Sequence, residues 1–245
     1  MEKNALVEEQ EGVISYRELE HLPAPVSKWL IRSGVVGSRH VHSCILRQKS
    51  IMKMSEENRT WYDASSEQIF NADAPSFIWK VKMKLSALMT VRGTDILEEG
   101  RGKMRISLCS VFNLVNETGP KISQGSLQRY LGEIVWFPGA ALKPYIRWEY
   151  IDEYSARAVI ESKGTRGEGV FYFDENGDFV KFSALRYKGN QEDARLYEWF
   201  VEACEYNDFE GIRVPVKLAA TWRLEERNWT WLIMEIKEIR YNQAG

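Results

Sequence analysis

The residues that build metal centres and disulfide frameworks are scarce in this chain, which has three histidines and three cysteines among 245 residues. Cys44, Cys109 and Cys204 stand far apart with no CxxC pair. An odd count at wide spacing is typical of a reducing compartment rather than of a disulfide framework. His40 and His42 alternate with Cys44 along one predicted strand, but two histidines without a further ligand set do not complete a zinc site. We therefore expect no metal site.

Catalytic and nucleotide-binding motifs are missing as well. The chain contains no GxSxG sequence, and a serine or cysteine nucleophile would have to draw on the same few N-terminal histidines. The glycine-rich residues 164–169 lie between two predicted strands and open no helix, whereas a phosphate-binding loop leads into a helix N-terminus. We interpret this segment as a hairpin turn, and we expect no cofactor.

Neither sign of charge is in excess, since 33 lysines and arginines oppose 35 acidic residues for a net charge of −2. A nucleic-acid partner is not expected, because such proteins normally carry a basic excess or stripe. No apolar run approaches the ~20 residues of a membrane-spanning helix. Residues 1–20 are polar and acidic, without the basic start and apolar stretch of a signal peptide. These features favour a cytoplasmic location.

What is present is a repeated alternation of apolar and polar residues. In residues 77–85 the odd positions are apolar and lysines occupy positions 80, 82 and 84, as expected of a strand with one buried face. The Asn-Gly pair within residues 174–177 favours a tight hairpin turn. A last hairpin is predicted for residues 216–224 and 229–239. About ten such segments predict a mainly β protein with an antiparallel sheet.

Residues 123–142 break this alternation and predict one central helix. Their apolar residues recur at the spacing of a single helical face. Ser123 is the expected N-cap, and Pro138-Gly139 is expected to end the regular part. Two shorter helices are predicted near the N-terminus, at residues 15–20 and 25–33. The predicted buried stripe of the central helix comprises Leu127, Tyr130, Leu131, Ile134 and Val135.

Two motifs resemble those of an uncharacterised bacterial family, a domain of unknown function. They are LPxPV at residues 22–26 and RYLxExxWxP at residues 129–138. Shorter matching pieces include the Pro75–Trp79 segment and the Gly211–Pro215 segment, so that the resemblance spans about residues 22–241. It implies a fold similar to the lipoprotein-carrier (LolA/LolB-like) half-barrel, whose members hold acyl chains between a curved sheet and its helices.

Together, periodicity and resemblance predict a mainly β (α+β) fold. We expect a curved antiparallel sheet, or half-barrel, of about ten strands. The central amphipathic helix and the short N-terminal helices would pack on its concave face. Residues 22–242 are predicted to form this single domain, preceded by a polar segment at residues 1–21 that carries a short helix.

The leading functional hypothesis is non-catalytic binding of an apolar or amphipathic small molecule between the sheet and the 123–142 helix. The central motif is rich in aromatic and charged residues, as are the walls of ligand cavities that combine apolar surface with a few polar groups. Arg129 would pair with a carboxylate or phosphate of the ligand. The residues predicted to line or gate the site are Arg129, Tyr130, Glu133, Trp136 and Trp148.

Two alternatives remain open at this point. The chain could be a hydrolase-type enzyme that uses Glu133 or Asp152 with Arg129, which requires a buried carboxylate with a displaced pKa beside the arginine. It could instead be a structural or interaction module that meets a protein partner or a second copy of itself, which requires a contiguous exposed apolar patch.

Overall fold

The computed structural model describes residues 12–109 and 112–243. These residues form 13 strands and two α-helices, with 3-10 helices at Tyr16–Leu19, Ile134–Trp136 and Pro138–Leu142. The first eleven residues of the predicted polar segment 1–21 lie outside this description. The α-helices and strands are α1 (Ala24–Arg32), β1 (Ser43–Met52), β2 (Tyr62–Asn71), β3 (Ser76–Lys84), β4 (Thr90–Glu98), β5 (Arg101–Leu108), β6 (Phe112–Thr118), α2 (Pro120–Glu133), β7 (Ile146–Asp152), β8 (Ser155–Ser162), β9 (Thr165–Phe173), β10 (Phe179–Tyr187), β11 (Leu196–Phe209), β12 (Ile212–Arg223) and β13 (Asn228–Tyr241).

All 13 strands belong to one antiparallel sheet in the order β6-β5-β4-β3-β2-β1-β13-β12-β11-β10-β9-β8-β7. Strands β6 and β7 follow each other in the chain but lie at opposite edges, so the segment between them, which contains α2, joins the two edges. Helix α2 contacts β4, β5 and β6 from one half and β8, β9 and β10 from the other. One helix can touch both halves only if the sheet is strongly curved around it.

The structure corrects the expected strand number, which is 13 rather than about ten. Strand β2 illustrates why alternation alone undercounts strands. Its inward positions include Ser66 and Gln68, which are buried polar residues, so the strand lacks an apolar stripe. The segment 164–169 is also corrected, because it turns only at Gly164 and then continues as β9. Gly167 and Gly169 leave room there for side chains of α2 and β10.

The bounds of the central helix also differ from the expectation. Helix α2 begins at Pro120, three residues before the predicted N-cap. Gly119 is its N-cap, with a positive φ of 124° that favours glycine. Ser123 lies inside the first turn, where its hydroxyl donates to the Gly119 carbonyl and accepts from the Gly102 amide. The regular helix ends at Glu133, and the chain continues in 3-10 turns through residue 142.

The predicted apolar stripe of this helix is confirmed, since all five of its residues are at most 1% exposed. Glycines allow the helix to approach the sheet closely. A Cβ atom at Gly132 would lie 2.6 Å from the Phe182 ring of β10, and one at Gly102 of β5 would lie 2.7 Å from the Ile122 carbonyl oxygen. Helix α2 is therefore wedged between the two halves of the sheet.

The two predicted N-terminal helices are present, as the 3-10 turn Tyr16–Leu19 and as α1. Val26 and Leu30 of α1 are fully buried, and Trp29 packs its ring against Phe171 and Phe173 of β9 at centroid distances of 5.9 and 5.6 Å. Within the described part of the chain, no helix has the length and apolar character needed to cross a membrane.

We expect Leu131→Asp to destabilise the protein by at least about 4 kcal/mol, because it removes a buried apolar side chain and places a carboxylate in the core. Urea denaturation followed by tryptophan fluorescence measures this loss. Leu88→Asp is the matched control, since Leu88 is 92% exposed and its replacement should change stability by less than about 0.5 kcal/mol. Equal stability of the two variants would show that α2 does not hold the fold together.

Candidate functional site

A cavity of about 240 Å³ lies between α2 and the concave face of the sheet. Its wall is mainly apolar, and a few charged residues line it from α2, β4, β6 and β10. The lining residues include Trp79, Asp95, Met104, Lys121, Ile122, Arg129, Glu133, Val135, Trp136, Arg186, Tyr187, Trp199, Val201, Leu218, Ala220, Trp222, Trp231, Leu232 and Met234.

The strand register gives the cavity an open end and a closed end. The half-buried Lys121 at the start of α2 and the exposed Gly189 after β10 line one end, and Lys121 donates from Nζ to the Gln191 carbonyl in the same loop. Further along the strands the lining residues are buried and apolar. Leu218 lies four residues beyond Trp222 on β12, about 13 Å at the rise of a strand, and forms the closed end.

Arg129 of α2 is held between two carboxylates inside this cavity. Its Nη1 lies 2.6 Å from Oδ2 of Asp95 on β4, and its Nε lies 2.8 Å from Oε1 of Glu133 one turn along the helix. Gln68 of β2 donates from Nε2 to the other Glu133 oxygen at 2.7 Å. The guanidinium also lies 4.5 Å from the centre of the Trp79 ring. Arg129 is thus fully engaged by groups of the protein.

Burial sets the direction of the pKa shifts in this triad. Desolvation raises the pKa of Glu133 and of Asp95 above the ordinary value, and the neighbouring Arg129 opposes the rise. The triad of one guanidinium and two carboxylates carries a formal charge of −1 when both carboxylates are ionised.

Arg186 of β10 also enters the cavity, but it has no such partners. It forms no hydrogen bond and no ion pair with the described residues, and its Nε has no accessible surface. The guanidinium lies 4.3 Å from the centre of the Trp199 ring and 5.8 Å from that of Trp222. Burial, with the nearby positive charge of Arg129, lowers the pKa of Arg186 to about 10, and the negative charges of Glu133 and Asp95 oppose the shift. Arg186 is therefore charged at neutral pH.

Two further hydrogen-bond donors of the cavity wall are unpaired. The indole nitrogens of Trp199 and Trp231 are buried, and neither has an acceptor among the described residues. These indole nitrogens, like Arg186 Nε, have no accessible surface, so of these three residues only the half-buried Arg186, through its terminal Nη atoms, can meet a ligand. Buried donors without partners are uncommon in folded proteins and invite a functional explanation.

Three of the five predicted site residues line the cavity, namely Arg129, Glu133 and Trp136. Trp136 is buried and donates from Nε1 to the Pro215 carbonyl at 3.1 Å. Tyr130 lies in the core, where its hydroxyl contacts the Asn71 carbonyl at 3.0 Å. Trp148 lies outside the cavity lining and packs on α1, with its ring 6.4 Å from that of Trp29.

The residues of the other sequence hypotheses lie elsewhere. Asp152 is exposed at the end of β7, where it accepts from the Tyr154 amide, which lowers its pKa; it is not brought to Arg129. His40 and His42 precede β1 and pair with Glu18 and Asp73, at 3.1 and 2.9 Å. Among the described residues, no group of three or more histidines, cysteines or acidic residues is placed to hold a metal ion.

A sequence model of the family of unknown function DUF6544 matches residues 12–234. The chain belongs to DUF6544. This confirms the resemblance to an uncharacterised family that the two motifs indicated. A search of curated proteins found no match. Among solved structures, the chain is similar to a LolA superfamily protein from Nitrosomonas europaea, with a TM-score of 0.45 and 8% identity over 90% of this chain and 94% of that one. Such a distant match carries no information about a ligand.

Sequence reasoning about this DUF6544 member missed Arg186. The signal that could have found it is the period of β10, in which Phe182 and Ala184 are buried and Arg186 takes the next inward position. A charged residue that continues an apolar face is a candidate for function, because strands rarely place an unpaired charge toward a core.

We expect Arg129→Met to destabilise this DUF6544 protein by about 3 kcal/mol at neutral pH, because it leaves Asp95 and Glu133 buried without their cation. Both carboxyl pKa values should rise further, so the unfavourable charge is fully present above those folded values. The loss should shrink as the pH falls toward the unfolded values near 4. Thermal melting across this pH range measures it.

The matched control for this variant is Arg147→Met, since the Arg147–Glu161 pair is exposed and such pairs contribute little. A destabilisation by Arg129→Met that does not depend on pH would contradict the assignment of the cost to buried carboxylates.

Proposed function

We propose that this protein binds an apolar or amphipathic small molecule in the cavity between the sheet and α2. The observation that carries the proposal is the cavity itself, about 240 Å³ in volume, with a largely apolar wall and a few convergent polar groups. Sites for small molecules share this design, at volumes of roughly 300–1,000 Å³. A cavity somewhat smaller than that range suits a slender ligand rather than a bulky one.

A non-catalytic role fits the chemistry of the cavity better than a hydrolytic one. The enzyme alternative required a buried carboxylate beside Arg129, and Glu133 meets that condition. However, both Glu133 oxygens already accept hydrogen bonds, from Arg129 and from Gln68. A general base needs an oxygen placed to take a proton from a substrate, whereas this carboxylate is held by the protein. We therefore assign Glu133 a structural role in the cavity wall.

Native mass spectrometry of protein purified from its expression host, followed by organic extraction, tests the proposal. We expect a retained small molecule in the wild type and its loss in Ala220→Phe. Ala220 is buried in the cavity wall, so a phenyl ring there would fill the space. Added volume in a packed interior costs about 1–3 kcal/mol, which this protein should tolerate because the cavity accepts the ring.

Ala219→Phe is the matched control, since its side chain lies on the opposite face of the same strand. We expect this variant to retain the ligand. If the wild type retains no molecule, titration with a fluorescent apolar probe tests whether the cavity binds a ligand. Equal probe binding by wild type and Ala220→Phe would refute a ligand site in this cavity.

A protein-interaction module is the second candidate function. It is favoured by the edge strand β7, where Tyr150 is 62% exposed and Ile151 is 44% exposed, followed by Tyr154 at 45%. An exposed apolar edge strand is a site where another chain can add. A dimer in native mass spectra that Tyr150→Lys converts to a monomer would support this function, and a monomeric wild type would count against self-association.

A further inference from the structure

The two cavity arginines differ in what the protein offers them. Arg129 has a carboxylate on each side, whereas Arg186 has two tryptophan rings and, in the part of the chain that the structure describes, no hydrogen-bond acceptor. Aromatic faces hold a guanidinium in place through cation–π contact, but they leave its N–H groups without hydrogen bonds. Arg186 is half-buried, and a guanidinium withdrawn from water without hydrogen bonds is unfavourable for folding. Its position is explained if a bound molecule supplies the missing acceptors.

The surrounding charges limit what that molecule can be. Arg186 carries +1 and the triad of Arg129, Asp95 and Glu133 carries −1. The other charged lining residues, Lys121 and Glu117, carry +1 and −1, so the charged cluster is neutral before a ligand arrives. A ligand with one negative charge leaves the cluster at −1. A phosphate monoester with two charges would place them close to Asp95 and Glu133, where repulsion is weakly screened. The balance therefore favours a single negative charge.

The donors of Arg186 favour a carboxylate as the carrier of that charge. A guanidinium presents parallel N–H groups that match the two oxygens of a carboxylate. A carboxylate has about four lone-pair positions, so each of its oxygens can accept one of these parallel hydrogen bonds.

The strand register shows where the rest of the molecule would lie. Arg186 pairs with Tyr197, and this pair lies two residues nearer the open end than the pair of Ala184 and Trp199. Toward the closed end, further residue pairs line the cavity with apolar side chains. They run from the pair Val201 and Ala220 to the pair Leu218 and Met234. A headgroup at Arg186 therefore lies at the start of an apolar wall that ends at Trp136.

We propose that Arg186 binds the headgroup of an amphipathic monocarboxylic acid whose apolar chain extends along β11, β12 and β13 toward Trp136. The inference deepens the proposed function and rests on it. It names the ligand class as a carboxylic acid with an unbranched apolar chain, oriented with its carboxylate toward the open end.

Isothermal titration calorimetry with four probes tests the proposal, namely decanoate, methyl decanoate, decanol and decyl phosphate. We expect the wild type to bind decanoate more tightly than the ester or the alcohol. Arg186→Met should weaken decanoate binding by roughly 10- to 100-fold, since a hydrogen bond to a charged group is lost. The same variant should leave binding of the methyl ester within about 3-fold, because the apolar wall is unchanged.

The outcomes separate failure of this inference from failure of the proposed function. If Arg186→Met affects acid and ester alike, the anchor is refuted while ligand binding stands. If the wild type binds the ester and not the acid, the carboxylate class is refuted. Tighter binding of decyl phosphate than of decanoate would likewise overturn the choice of headgroup. If no probe binds the wild type, the proposed function fails and the inference fails with it.

Thermal melting without ligand supplies a second readout and shows that the variant folds. We expect Arg186→Met to melt cooperatively within about 2–4 °C of the wild type, because the desolvation of the guanidinium and its attraction to Asp95 and Glu133 are lost together. Arg195→Met is the control, since Arg195 is exposed and paired with Glu225; it should change neither Tm nor decanoate affinity. Loss of cooperative melting in Arg186→Met would show that Arg186 holds the fold together and would overturn its assignment as a ligand anchor.

Discussion

The packing of one helix against both halves of a single sheet is the constraint on which this structure depends. Strands β6 and β7 are joined through α2 and lie at opposite edges of 13 strands, so the chain between them joins edges that a flat sheet would hold far apart. The sheet instead curves until both halves meet α2. The fully buried Leu127, Tyr130 and Leu131 fix that contact, and the glycines at 102 and 132 set its closeness.

This arrangement creates both the core and the space beside it. Where α2 is wedged against β5 and β9, the interface is filled, and a glycine is needed for contact. Beside the more distant β11, β12 and β13, the same helix leaves a cavity that no side chain of residues 12–109 or 112–243 fills. The curvature that buries the helix thus also produces the cavity, and a ligand site of this kind needs no loop to close it.

Charge within the cavity is arranged in two ways, and the difference between them supports the proposed ligand site. The Arg129 triad is satisfied from within, by Asp95, Glu133 and Gln68, and it ties α2 to β4 and β2. Arg186 is stacked but unpaired. Proteins generally satisfy buried polar groups, and exceptions concentrate where stability is traded for function. The unpaired guanidinium is such an exception, and its parallel N–H groups match the two oxygens of a carboxylate.

The sequence by itself determined the local elements, because period-two and helical spacing depend on near neighbours. It predicted the Phe77–Leu85 strand, the stripe of α2, the hairpin at Gly177 and family membership. It undercounted strands such as β2, whose inward Ser66 and Gln68 donate hydrogen bonds to Gln48 and Glu133 from other elements. Only the tertiary structure decided which arginine lacks a partner among the described residues, since Arg129 receives Asp95 from distant β4 in addition to Glu133 on its own helix, whereas the side chains brought to Arg186 are tryptophan rings.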